Sequence, residues 1–180
     1  MRPWTRLAST TLVDDRWLRV TADRCELPSG LVLDPFYVLH EKDNAHVFAL
    51  DTQGRLVVVR QFRYAGATTC LELPGGVIDA GEDPLRAAQR ELLEETGHTA
   101  PQWESVGTMF VNPARQTNRV HVFVALGAAK IAEPQLDASE DLAVSACTLA
   151  QVQAAIDAGE FSQALHVASF YRCLHHTGLR

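Results

Sequence analysis

The run Arg90-Glu91-Leu92-Leu93-Glu94-Glu95-Thr96-Gly97, preceded by Gly76-Val77-Ile78-Asp79-Ala80-Gly81-Glu82, constrains this chain more than any other stretch. Asp83 is suited to capping a helix N-terminus. Pro84 suits the first helical position, where its missing N–H costs nothing, and Gly97 suits a stop. The spacing predicts a helix over 84–96. At roughly 100° per residue, Glu91, Glu94 and Glu95 fall on one face, while Leu85, Ala88 and Leu92 form a separate apolar stripe for a core. Carboxylates so placed repel one another. Such a face is either a solvated acidic surface or a cradle for a hard divalent cation, which prefers oxygen donors and often accompanies a phosphate.

The flanking residues decide between these readings. They resemble the Nudix box, G-x5-E-x7-R-E-U-x-E-E-x-G-U, with U a bulky apolar residue. Gly76, Glu82, Arg90, Glu91, Leu92, Glu94, Glu95 and Gly97 occupy its fixed places, and His98 departs from the last U. So many specified positions in a window of 23 residues make the signal strong. The resemblance is to a Nudix hydrolase. It implies Mg²⁺, with Mn²⁺ able to replace it, held by Glu91, Glu95, Glu94 and the Gly75 carbonyl. Glu82 and Arg90 are expected to pair and to brace the loop against the helix, outside the substrate.

At 180 residues the chain fits one domain with a modest extension. Its formal charge of −6 argues against a broad nucleic-acid surface, because such affinity rests on many Lys and Arg. Cys25, Cys70, Cys147 and Cys173 are far apart and make neither a zinc site nor a disulfide framework. No apolar run approaches the roughly 18–20 residues of a membrane span. A reducing cytoplasm is the expected compartment.

Extended runs at 17–26 and 31–40, joined by Leu27-Pro28-Ser29-Gly30, read as a hairpin. Val47–Leu50 and Leu56–Val59, joined by Asp51-Thr52-Gln53-Gly54, read as strands of a main sheet. Further strands are expected at 103–110 and 119–126, the latter alternating Val120, Val122 and Val124 against His121, Phe123 and Ala125. Thr148 and Ser162 are the expected caps of helices over 149–158 and 163–176, with Ala154, Ile156, Leu165, Ala168 and Phe170 packing inward. His166, His175 and His176 are expected at the surface or an interface. Spacing alone gives an α+β fold, or α/β with antiparallel character. The resemblance sharpens it to a mixed α/β/α sandwich over 45–180, with residues 1–44 a β extension that helps build a homodimer.

Substrate choice rests on sparser signals. Arg60-Gln61-Phe62-Arg63 is typical of the ADP-ribose pyrophosphatase-like subgroup, so Arg63 and Arg60 are candidate substrate contacts, since guanidinium binds phosphate by paired hydrogen bonds. The resemblance places Glu72 on the substrate side, and Pro113, fifteen residues past the box, matches the ADP-ribose-preferring pattern. In enzymes this chain resembles, an acidic loop after the strand matching 119–126 supplies a catalytic glutamate; the resemblance therefore implies Glu140, in the loop Leu136–Asp141, with Glu94 the other candidate catalytic carboxylate. The expected reaction is Mg²⁺-dependent hydrolysis of a nucleoside diphosphate sugar, first ADP-ribose to AMP and ribose 5-phosphate. Alternatives are a GDP-sugar such as GDP-mannose, or a Nudix-like nucleotide-binding module without turnover.

Overall fold

A computed structural model describes residues 2–138 and 140–179. The chain divides into two compact units, Met1–Lys42 with Phe110–Arg119, and Asp43–Met109 with Val120–Arg180. The 110–119 segment joins the first unit. The cause is backbone pairing: Leu39 N–H donates to Arg115 C=O at 2.8 Å and Thr117 N–H donates to Leu39 C=O at 3.1 Å.

The first unit is an antiparallel sheet of β1 (Thr5–Asp14), β2 (Arg19–Glu26) and β3 (Val32–His40), in that order. The expected hairpin is β2–β3. Its turn closes as Leu27 N–H donates to Leu31 C=O and Gly30 N–H to Leu27 C=O, both at 2.9 Å. β1 is an additional strand. Every one of its residues is exposed, so it carries no inward apolar alternation from which to read it. Thr21, Asp23 and Cys25 of β2 are buried.

The second unit is a mixed sheet. Its strands are β4 (Asn44–Asp51), β5 (Leu56–Arg63), β6 (Thr68–Glu72), β7 (Gly75–Val77), β8 (His98–Thr99), β9 (Gln102–Phe110), β10 (Arg119–Lys130) and β11 (Leu142–Cys147). The main order is β11-β5-β4-β10-β8, with β6 on β5, β7 on β4 and β9 on β10. β10 runs parallel to β4, whereas β5, β6, β7 and β11 pair antiparallel.

Side chains alternating across the pleat feed two cores. Phe48, Leu56, Val58, Val120, Val122 and Val124 pack with Val152, Phe161, Phe170 and Cys173 on one face. Ala45, Val47, Ala49, Val57, Phe123 and Ala125 pack with Ala87, Ala88 and Leu92 on the other. Those partners lie on α1 (Pro84–Thr96), α2 (Leu149–Asp157) and α3 (Ala164–Thr177) or the turn before α3, so the sheet is sandwiched between helices.

Helix α1 has the expected bounds. Asp83 accepts the Leu85 and Arg86 N–H groups, and Gly97 caps the C-terminus in the left-handed region. Thr148 and Gln151 form a capping box on α2. The cap of α3 is Gln163 rather than Ser162: the Gln163 side-chain oxygen accepts the Leu165 and His166 N–H groups at 2.6 and 3.0 Å. Ala154 and Ala168 are exposed, whereas Phe170 is buried and Ile156 and Leu165 pack half-buried against the core as expected, alongside Val152, His166, Ser169 and Cys173. Among the described residues no helix is long and apolar enough to cross a membrane.

Candidate active site

Two glycines connect the acidic helix to the sheet. β7 lies antiparallel to β4 with Gly76 opposite Ala45 and Gly75 opposite His46. At Gly75, with φ +151°, a Cβ would sit 2.0 Å from the Ala45 carbonyl oxygen. At Gly76 a Cβ would sit 2.6 Å from the Glu91 carboxylate. Bare backbone is therefore what lets helix and sheet meet here. Gly75 N–H donates to Glu95 Oε2 at 2.8 Å.

Glu91 and Glu95 are buried on the inner side of α1, and Glu94 is more exposed. Burial raises the Glu95 pKa to about 8, against the lowering effect of the Gly75 N–H, with the charges of Glu91 and Glu140 adding to the rise. Burial also raises Glu91, more than Arg90 lowers it, with Glu94 and Glu140 pushing further up. The loop acid Glu140 thus acts electrostatically on the helix acids. It lines a cavity of about 420 Å³ with Asp79, Arg90, Glu91, Glu94, Gln135 and Asp137. Glu140 Oε2 accepts the Asp137 N–H at 2.9 Å. Ser139, in the same loop, lies outside the described residues.

Arg90 does more than the expected bracing. Its Nε and Nη2 donate to both Glu82 oxygens at 3.0 Å, Nη2 reaches the Val77 carbonyl at 3.1 Å, and Nη1 donates to Glu91 at 2.8 Å and Glu94 at 3.0 Å. These bonds raise the guanidinium pKa, and the Arg90 bond holds Glu82 down at about 2. Among the described residues no three His, Cys, Asp or Glu side chains stand as a preformed metal group. The donor chemistry nevertheless fits a hard divalent cation: oxygen ligands only, Glu91 and Glu95 buried and Glu94 beside them, mutually repelling with Arg90 bonded between Glu91 and Glu94.

A second cavity, about 610 Å³, is lined by Gly75 and Gly76 together with Arg63, His46, His166 and Cys70 among others. The β5–β6 register pairs Val59 with Glu72, Gln61 with Cys70 and Arg63 with Thr68, so Gln61, Arg63 and Glu72 share one face. Glu72 is fully buried. Arg63 Nε donates to its Oε1 at 2.9 Å, and Arg63 Nη2 and Gln61 Nε2 donate to Oε2. The Glu72 bond raises the Arg63 pKa. His166 is not at the surface as expected. It is buried, with Nε2 3.3 Å from Glu72 Oε2, and burial lowers its pKa to about 3. His46 stacks on it at 3.9 Å between ring centroids and is held well below its usual pKa by burial.

The structure therefore brings together Gly75, Glu91, Glu94, Glu95, Glu140, Glu82 and Arg90, and, across the two glycines, Arg63 and Glu72. Arg60 lies on the opposite face of β5 and pairs with Glu160 at 2.9 Å. Pro113 is exposed, in the Val111–Asn118 segment of the first unit. His46 and His166 were not among the expected site residues. The available signal was positional: His46 abuts the buried Val47–Leu50 run, and His166 precedes Phe170 and Cys173 at four and seven residues on α3, the stripe that turns inward.

A family model described as the NUDIX domain matches residues 40–165, and one described as the nucleoside diphosphate sugar hydrolase N-terminal domain matches residues 4–39. The chain is similar to an ADP-ribose pyrophosphatase of Bacillus subtilis (strain 168), with 31% identity over 144 residues, 79% of this chain and 77% of that one. It is also similar to an ADP-ribose pyrophosphatase of Mycobacterium tuberculosis, with 27% identity over 164 residues, 90% and 79% of the two chains. Among solved structures, an ADP compounds hydrolase aligns with a TM-score of 0.84 over 99% of this chain and 97% of that one. At 21% identity that likeness shows the fold.

Proposed function

The chain belongs to the Nudix hydrolases, and from that premise we propose that it hydrolyses the pyrophosphate bond of a nucleoside diphosphate sugar, first ADP-ribose to AMP and ribose 5-phosphate. The observation that carries this reading is the Gly75-Gly76 backbone, a common wall between the carboxylates of α1 and the cavity lined by Arg63. A diphosphate lying along that wall meets a guanidinium on one side and the acidic centre on the other. The names of the Bacillus and Mycobacterium relatives support ADP-ribose as the substrate.

Glu91, Glu95 and Glu94, with the Gly75 carbonyl, would hold Mg²⁺ or Mn²⁺. Such an ion, when bound, withdraws charge from the phosphoryl oxygens and acidifies water. Glu140 is the base: water forms a bond to phosphorus, its proton passes to the Glu140 carboxylate, and the bridging P–O bond breaks to release the second phosphate. Glu94, beside it on the same cavity, is the alternative acceptor. Arg63 holds the substrate phosphate, and Glu82 acts on Arg90 rather than on substrate.

The exposed β1, together with Trp4, Leu7, Leu12 and Val13 at its surface, supports a homodimer formed through the N-terminal unit. Four free cysteines support a reducing, cytoplasmic setting. The test is a panel of nucleoside diphosphate sugars assayed with Mg²⁺ for released nucleoside monophosphate. ADP-ribose is expected to have the highest kcat/KM, and cleavage of GDP-mannose in its place would overturn the substrate while keeping the class.

A further inference from the structure

Arg63 ends β5 on a long flexible stem that has many rotamers to lose when fixed. Its Nε and Nη2 are spent on Glu72, in a side-on pair that sets the guanidinium plane. Nη1 has no hydrogen-bond partner among the described residues, on a side chain that is half exposed and lines the larger cavity. Where Nη1 sits is therefore decided by where Glu72 sits.

Glu72 is in turn held from α3. Leu73 N–H donates to His166 Nδ1 at 3.2 Å, so that nitrogen is the unprotonated one and Nε2 carries the hydrogen. Nε2–H then donates to Glu72 Oε2 at 3.3 Å. The imidazole cannot rotate freely, because His46 stacks on it with 14° between ring planes and His46 Nδ1 is itself 3.0 Å from Ser169 Oγ. The β5–β6 hairpin and helix α3 converge on the Glu72 carboxylate, which accepts from Arg63, Gln61 and His166, while β4 stacks His46 on the imidazole, an arrangement that favours a single geometry.

We propose that His166 is a positioning residue for substrate: through Glu72 it aims Arg63 Nη1 at the phosphate lying on Gly75-Gly76. The inference rests on the nucleoside diphosphate reading above for its ligand, but the alignment of Arg63 is a property of the protein alone. His166→Phe keeps the ring and its stack while removing both nitrogens. His166→Gln restores an amide N–H toward Glu72.

Steady-state kinetics with ADP-ribose and Mg²⁺ are expected to show KM raised about tenfold in His166→Phe, the scale of one hydrogen bond to a charged group. The kcat is expected to stay within about twofold, and His166→Gln to bring KM back within about threefold of wild type. In parallel, the Arg63 Nε–H resonance, assigned by its loss in Arg63→Lys, is expected to be protected from exchange in wild type and His166→Gln and unprotected in His166→Phe. An unchanged KM, a fall in kcat at constant KM, a Gln variant no better than Phe, or a protected Arg63 signal in His166→Phe overturns the proposal. If wild type turns over no nucleoside diphosphate sugar, the substrate reading fails by itself, and the Arg63 resonance still decides the positioning role.

Discussion

Glu95 Oε2 accepts the Gly75 N–H at 2.8 Å, and this bond ties the acidic face of α1 to the strand that walls the larger cavity. The neighbouring glycines support that contact differently, which separates two variants. In Gly75→Ala the new methyl would meet the Ala45 carbonyl oxygen at 2.0 Å, a backbone atom that cannot withdraw. A loss of about 3 kcal/mol or more in unfolding free energy is expected. In Gly76→Ala the methyl meets only the end of the Glu91 side chain. Stability is expected to change by less than about 1 kcal/mol, while activity falls about 10- to 100-fold, as for disturbed metal-site partners. Urea unfolding and initial rates on both variants check the contrast.

Glu82 supplies a pH test of the brace. Its folded pKa is about 2, below the ordinary value of 4.5, because Arg90 and the Asp79 N–H stabilise the carboxylate. A depressed carboxylate contributes stability above its unfolded pKa and loses it as pH falls through the folded one. Wild type is expected to exceed Glu82→Gln in stability at pH 7, with the gap closing between pH 4.5 and 2. Urea midpoints at pH 7, 4 and 3 measure it, and a gap independent of pH would contradict the Arg90–Glu82 pairing.

The buried histidines predict sensitivity to mild acid. His166 and His46 are both held neutral by burial, His166 with a folded pKa near 3, so the unfolded chain binds protons that the folded one refuses. Their contribution is present above pH 6.5 and is lost as pH falls toward the folded value. His166→Gln removes one of the two groups. The advantage of wild type over His166→Gln is expected to be greatest at pH 7.5 and to shrink at pH 6 and again at pH 5, read from unfolding curves at each pH.

Glu140 is expected to act on turnover rather than affinity. Glu140→Gln preserves an oxygen for the Asp137 N–H while removing a proton acceptor. The kcat is expected to fall about 10²- to 10⁴-fold, the range of general-base catalysis, with KM within about threefold. The same substitution at Glu94 is expected to fall short of that loss, and the reverse ranking would move the base to Glu94.

Helix α1 could be read to the residue because its signals are local: Asp83, Pro84 and Gly97 lie at its own ends, and the Glu91–Glu95 spacing is set by helical geometry. The strands at Val47 and Leu56 were legible from apolar content for the same reason. What escaped was decided by register and by partners distant in sequence. Nothing near Glu72 shows that the β5–β6 pairing buries it beneath Arg63, or that a histidine on α3 completes its bonds. Arg90 was expected at Glu82 alone, yet one guanidinium has donors enough to reach Glu91 and Glu94 as well. β1 went unread because a strand exposed along its whole length carries no inward face.

The most direct test of the account compares wild type with Glu95→Gln on ADP-ribose and Mg²⁺, following AMP and ribose 5-phosphate chromatographically and nucleotide binding by calorimetry. The account predicts equimolar AMP and ribose 5-phosphate from wild type, at least about a hundredfold less from Glu95→Gln, and ADP-ribose binding retained by both. Equal turnover by the two proteins, or no nucleoside monophosphate from wild type with ADP-ribose or any other nucleoside diphosphate sugar, would contradict it.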